Sequence, residues 1–314
     1  MNIVLIKDWV KNLKSKPTYF YSIPSLFKGI QFRLLASLGW DRIQYRLPLG
    51  NKINISLKEA IGRAIAFCGV YELGMMEIIE RLLKPGDCVV DVGANIGYVT
   101  SLMALKVGTK GRVLAFEPEP TLAEKLKNNV ALWDRSTNAE VTIIIGALSK
   151  CSGTQEFFSR GLMVDGNGNT NSGLGTLEKL GNPYNENSIS VDVHTLDTFF
   201  SEASSQIDLM KLDVEGHELS VFEGSEKLFS EHRIRYVVFE EHGGNKAPTI
   251  RWLQKHRYFV WAIQKNFNCV ELIPVEKPSR IINWEPTNYF ASIEANVGQQ
   301  FSSGSWRVLR FFRS

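Results

Sequence analysis

Apolar residues recur at helical spacing over residues 75–83, and the run Lys84-Pro85-Gly86-Asp87 then interrupts them. Proline and glycine together end a helix and turn the chain. A short, unbroken apolar run follows at 88–92, and from there the pattern alternates in kind. Helical periodicity over 97–107 gives way to an apolar run at 112–116, then to a helical stretch at 121–132 and a run at 141–145. After a gap, runs at 207–212 and 234–239 flank a helical stretch at 219–229. Segments 258–263 and 289–293 are candidate late strands, and 274–286 reads as a loop. Short apolar runs separated by longer helices predict a parallel sheet covered on both faces. The predicted class is therefore α/β, doubly wound, with mostly parallel strands.

Residues 1–70 stand outside this rhythm and read as an N-terminal extension. Trp9, Val10 and Leu13 interleave with Lys7, Lys11, Lys14 and Lys16, as on an amphipathic helix whose lysines face solvent. Ile53, Ile55 and Leu57 alternate with polar residues, as in a half-buried strand. Residues 71–296 read as the main domain and 297–314 as a basic, aromatic tail. Within the domain, residues 159–190 break the alternation with a Gly/Asn-rich stretch that includes Gly166-Asn167-Gly168-Asn169. A loop of this length is either functional or disordered.

Composition narrows the function classes. The chain has 314 residues, 44% hydrophobic and 22% charged, enough apolar material for a sizeable core. A net charge of +3 lacks the strong basic signal of a nucleic-acid binder. Cys68, Cys88, Cys151 and Cys269 form no CxxC pair, which argues against a disulfide framework or zinc knuckle and suits a reducing cytoplasm. Neither a secretory leader nor an apolar run of about 20 residues is visible, so a soluble, cytoplasmic chain is expected. Arg307, Arg310 and Arg313 fall at helical spacing; a docked terminal helix is favoured over a membrane-surface contact.

The strongest local signal is Val89-Val90-Asp91-Val92-Gly93-Ala94-Asn95-Ile96-Gly97, a buried strand running into a glycine turn with a helix directly after. Gly93 permits a tight turn and close approach of a ligand to the backbone. Asn95 tolerates a left-handed conformation, and Gly97 permits close packing of helix against strand. Open α/β sheets bind ligands at such strand ends. Dinucleotide enzymes want G-x-G-x-x-G around a pyrophosphate, whereas the spacing here is G-x-x-x-G. S-adenosylmethionine (SAM) has no phosphate, and its ammonium and sulfonium suit an acidic strand end, where Asp91 stands. Glu117, in Phe116-Glu117-Pro118 at the end of the next strand, is placed to accept bonds from both ribose hydroxyls.

These strings, with Leu126-Lys127-Asn128-Asn129, Thr195-Leu196-Asp197 and Lys211-Leu212-Asp213-Val214-Glu215-Gly216-His217-Glu218, resemble the FkbM family of methyltransferases in order and spacing. The resemblance covers about residues 70–245. It implies a seven-stranded SAM-methyltransferase fold and O-methylation, often of sugars or secondary metabolites. The expected acceptor is thus a small molecule or glycan. A non-catalytic module of the same fold and an NAD-dependent oxidoreductase are the alternatives, the second disfavoured by the glycine spacing.

An alcohol acceptor needs help losing its proton, from a general base or a metal. His217 and Asp213 are both candidates for the base, with Glu215 beside them on the turn. Glu72 precedes the helix that leads into the first strand and is placed to reach the cofactor's amino group. Asp213 ends the fourth core strand and is a second cofactor contact. Glu240, Glu241 and His242 end the fifth and, with Asp213, offer metal ligands. Their spacing forms no dense motif, so no metal is expected. His242, with Asn171, Ser172 and Tyr184 of the Gly/Asn-rich stretch, is a candidate for acceptor binding, and the stretch itself for a lid.

Overall fold

The computed structural model describes residues 31, 34, 39–159, 175–178, 187–201, 206–266, 269–277, 287–301 and 305–309. The chain enters through strands β1 (Arg42–Arg46) and β2 (Lys52–Ser56), an antiparallel pair. Helices α1 (Ala60–Cys68) and α2 (Leu73–Leu82) follow. The central alternation is β3 (Cys88–Val92), α3 (Tyr98–Val107), β4 (Arg112–Phe116), α4 (Pro120–Val130) and β5 (Glu140–Ile144). A small sheet of β6 (Ala147–Leu148), β7 (Gly153–Ser159) and β8 (Asn187–His194) interrupts it. The helix α5 (Leu196–Phe199) leads into β9 (Ile207–Leu212), α6 (Glu218–Glu223), α7 (Glu226–Ser230), β10 (Ile234–Glu240) and α8 (Pro248–Lys255). Strands β11 (Phe259–Lys265), β12 (Val270–Pro274) and β13 (Asn288–Ser292) close the chain's main sheet.

That sheet has the order β12-β11-β13-β10-β9-β3-β4-β5. β10, β9, β3, β4 and β5 run parallel, and β13, β11 and β12 are added antiparallel at one edge. The fold is α/β and mostly parallel as expected, with eight strands rather than seven. The additional strand is β12, whose segment carries no strong alternation of its own and forms by hairpin pairing with β11. Successive residues of the central strands face opposite cores. Val89, Leu209 and Val238 pack with α2 and α3 on one side. Val90, Met210 and Val237 pack with α6, α7 and α8 on the other. Both faces are covered, which is why these strands read as continuous apolar runs rather than alternating ones.

The helix expected over 219–229 is two helices. Gly224 lies between them, where a Cβ would stand 2.0 Å from the Ser149 backbone oxygen. The carboxylate of Asp197 restarts the chain as α7 by accepting from the N–H groups of Lys227 and Leu228 at 3.0 and 3.1 Å. That gives the Thr195-Leu196-Asp197 string a structural role as a helix cap.

The first and last described segments share one core. Ile53 and Ile55 of β2 and Trp306 and Val308 near the chain's end join the cluster that holds α2. Glu77 of α2, fully buried, accepts from the N–H groups of Arg307 and Val308 and from Arg81 Nε at 2.7 Å. Glu77→Gln turns one acceptor into a donor facing these N–H groups. An unmade buried hydrogen bond costs about 1–3 kcal/mol, so the urea midpoint should fall by that equivalent with the m-value unchanged.

Candidate functional site

The glycine turn after β3 is built on three residues at positive φ: Gly93 (76°), Asn95 (51°) and Gly97 (88°). At Gly93 a Cβ would stand 1.9 Å from the Asp213 backbone oxygen, so the position excludes any side chain. The N–H groups of Gly93 and Ala94 donate to the Phe116 carbonyl at 3.0 and 2.9 Å, fastening the turn to the end of β4. At Gly97 a Cβ would meet Leu126 at 2.6 Å, so the close approach expected there is to α4 rather than to the strand. Asn129 of α4 donates to the Ile96 carbonyl and accepts from the Asn54 N–H, both at 2.8 Å, and so ties β2 to the turn.

Glu117 is 4% exposed at the end of β4. One of its carboxylate oxygens accepts from the Asn95 N–H at 2.7 Å and the other from the Glu119 N–H at 3.0 Å. Each oxygen keeps a further lone pair for another donor. Burial pushes this carboxyl up to about 7, against the opposing pull of the two N–H groups. Glu117 lines a solvent-open cavity with Gly93, Asn95, Asp213 and His217, walled by Phe116, Leu122, Leu148 and Phe157. A carboxylate with two spare acceptor positions beside the apolar side chains of Phe116, Leu122 and Leu148 fits a ribose carrying a heterocycle. The residues present therefore suit the nucleoside half of SAM.

The site's pH response follows from Glu117. Accepting two hydroxyls requires the ionised form, and in the free chain that form gives way to the protonated one below about pH 7. SAM affinity should be level above that pH and should fall by up to about tenfold per unit below it. Calorimetric titration across pH 6 to 8 checks this, with Glu117→Gln expected to flatten the profile.

Asp91 sits behind the crevice rather than in it. Its carboxylate is wholly enclosed, accepts from the Thr100 hydroxyl at 2.6 Å and lies 3.3 Å from Lys211 Nζ. Lys211, 2% exposed, also donates to the Gly93 carbonyl at 2.7 Å and stands 3.6 Å from Asp213. Burial alone would depress its ammonium, but Asp91, Asp213 and Glu72 together raise it above the usual lysine range. Sequence reasoning passed over Lys211, although a lysine in the middle of an apolar strand is itself a signal.

Asp213 lines the cavity with its side chain 26% exposed. His217 lines it too, but both ring nitrogens are engaged: Nδ1 with Glu178 at 2.7 Å and Nε2 with the Ser149 hydroxyl at 2.9 Å. Neither partner was anticipated; Glu178 lies within the Gly/Asn-rich stretch. Glu218 holds the intervening turn by accepting from the Val214 and Gly216 N–H groups at 3.3 and 3.2 Å. Glu72 and Asp213 each bring a carboxylate oxygen close to Glu240, and Glu215 and His242 approach the same Glu240. Asn171, Ser172 and Tyr184 lie outside the described residues. No described helix is long and apolar enough to cross a membrane.

A family model described as Methyltransferase FkbM domain matches residues 91–260. Over 174 residues the chain is 29% identical to 2-O-methyltransferase NoeI of Sinorhizobium fredii, covering 52% of this chain and 68% of that protein. It is 27% identical over 175 residues to Hexuronic acid methyltransferase AglP of Haloferax volcanii, covering 54% and 64%. Over 54 residues it is 44% identical to Protein-L-isoaspartate O-methyltransferase 1 of Arabidopsis thaliana, covering 17% and 24%. The chain thus matches less than two thirds of the length of the last two relatives.

Proposed function

The chain belongs to the FkbM methyltransferase family, and from that premise we propose that it is a SAM-dependent O-methyltransferase acting on a hydroxyl of a glycan or glycan-like small molecule. The observation that carries the reading is the cavity in which Glu117, with two spare acceptor positions, and Asp213, partly exposed, line opposite ends of the glycine turn. The relatives that act on a hexuronic acid and at a 2-O position support a sugar-type acceptor.

Glu117 would hold the ribose hydroxyls, with Gly93 and Asn95 against the cofactor's amino-acid end and Phe116, Leu122 and Leu148 around the base. When bound, SAM supplies an activated methyl group, so that an acceptor oxygen gains an O–C bond as an S–C bond breaks. The chain's part is to fix the acceptor in line and to take its proton. Asp213 is the base in this reading, since it is the partly exposed carboxylate on the cavity wall. His217 is held on both nitrogens and serves to shape that wall.

The direct test supplies methyl-labelled SAM with a panel of uronic acids and hydroxylated oligosaccharides. Label should appear in an alkali-stable ether on one acceptor. Cofactor binding without label transfer to any hydroxyl would make the chain a non-catalytic module instead.

A further inference from the structure

Gly175 and Leu177, both within the Gly/Asn-rich stretch, form part of the wall of the cavity that Glu117 lines. Three contacts fix the segment Gly175–Glu178 there. The N–H of Thr176 donates to the Phe158 carbonyl at 3.1 Å, and its carbonyl accepts from the Phe158 N–H at 2.8 Å, pairing it with β7. Leu177 packs on the core of the small sheet, made of Ala147, Phe157, Val191 and Val193. Glu178 reaches His217, with 2.7 Å between its Oε1 and the ring Nδ1.

The local sequence suits this path. At Gly175 a Cβ would stand 2.2 Å from Phe157 Cζ, so a side chain there would collide with the ring. Thr176 is 2% exposed, and its hydroxyl accepts from the Glu178 N–H at 3.1 Å, a turn that brings the chain round toward His217. The first two contacts tie the segment to the small sheet. The Glu178 contact ties it to the turn after β9, on which Asp213 and His217 stand. The histidine is suited to such a fastening. An ionised carboxylate only accepts, so in the neutral ring Nδ1 carries the hydrogen and Nε2 takes that of the Ser149 hydroxyl. Ser149 is 1% exposed, so a buried partner orients the ring on one side while the other side holds Glu178.

We propose that Gly175–Glu178 is a clasp on the cofactor's nucleoside, in which Leu177 touches the base and Glu178 is a positioning residue that acts through His217. The inference rests on the reading of the cavity as a SAM site. Phe116 of β4, Leu122 of α4 and Leu148 of β6 surround the base, and Leu177 adds an apolar contact from a stretch whose sequence suggests acceptor selection. Without the Glu178 bond the segment keeps its pairing with β7, but Leu177 is no longer held from the β9 side. The loss appears chiefly as faster release of ligand rather than slower capture.

The test uses the full chain and S-adenosylhomocysteine, the product left when the methyl group has gone. Release is timed by chasing labelled ligand with an excess of unlabelled. Glu178→Ala should release it about three- to tenfold faster, with association within about twofold of wild type. The Glu178 side chain is 48% exposed, so its truncation leaves the fold standing. Glu178→Gln keeps an oxygen for the Nδ1 hydrogen and should restore most of the difference. Leu177→Ala should speed release by about tenfold. Adding Glu178→Ala to it should change little, because both substitutions cost the same contact. Wild-type release from Glu178→Ala, no rescue by Glu178→Gln, or multiplied effects in the double variant overturns the clasp. Absence of S-adenosylhomocysteine binding by wild type overturns the reading of the cavity itself, so the two failures give different results.

Discussion

Replacing Glu117 by alanine is expected to lower SAM affinity by about 10²–10⁴-fold. The wild-type carboxylate has one lone pair on each oxygen left over from Asn95 and Glu119, and each would take a ribose hydroxyl. Hydrogen bonds to a charged group are worth about 1.5–3 kcal/mol apiece, so losing two costs about 3–6 kcal/mol. The same substitution removes the acceptor that holds the Asn95 N–H, and the turn beneath the cofactor loosens with it. Glu117→Gln keeps one acceptor oxygen and should fall between the two. Calorimetry with S-adenosylhomocysteine decides the matter without any need for the acceptor. Near-wild-type affinity in the alanine variant would remove Glu117 from the site.

Asp213→Asn is expected to leave cofactor affinity nearly intact and to lower single-turnover methyl transfer by about 10²–10⁴-fold, the usual contribution of a positioned base. Asparagine has the shape of aspartate but cannot take the acceptor's proton at neutral pH. Lys211 keeps its contacts with Asp91 and the Gly93 carbonyl, so the fold behind the site persists. His217→Ala makes the comparison sharp. It removes a wall and two hydrogen bonds and should raise KM more than it lowers the chemical rate. If His217→Ala abolishes the chemical step while Asp213→Asn does not, the histidine is the base.

The central sheet was legible in the sequence because each of its parallel strands is buried on both faces. Cys88–Val92 and Ile207–Leu212 are apolar runs for that reason, and their bounds match the elements. The glycine turn was legible because positive φ leaves few residue choices, and Gly93, Asn95 and Gly97 all occupy such positions. What escaped was contact between distant parts of the chain. The Glu178–His217 pair joins residues 39 positions apart, and nothing local marks Glu178 as a partner. Asp91 was placed toward the ligand because strand ends usually face it; the intervening Lys211 turns it inward. Glu240 and Glu215 sit on neighbouring strand ends, so the gathering of carboxylates is a product of strand order, which periodicity alone does not supply.

The hairpin of β7 and β8 carries a consequence for how this chain can change over generations. Its strands are in register from Gly153↔Val193 to Ser159↔Asn187, so the ends of the intervening segment are pinned together whatever that segment contains. Once a loop's ends are fixed, doubling its length adds only about 0.6 kcal/mol of closure entropy. Residues 160–174 and 179–186 can therefore be lengthened, shortened or exchanged by mutation with little penalty to the sheet, while Thr176, paired with Phe158, and Glu178, bonded to His217, stay as fixed points between them. Phe157, Ala147 and Leu148 stay where they are on the cavity wall while this happens. Diversification is thus confined to the spans between these fixed points, and the strands that carry the cavity wall are left as they were.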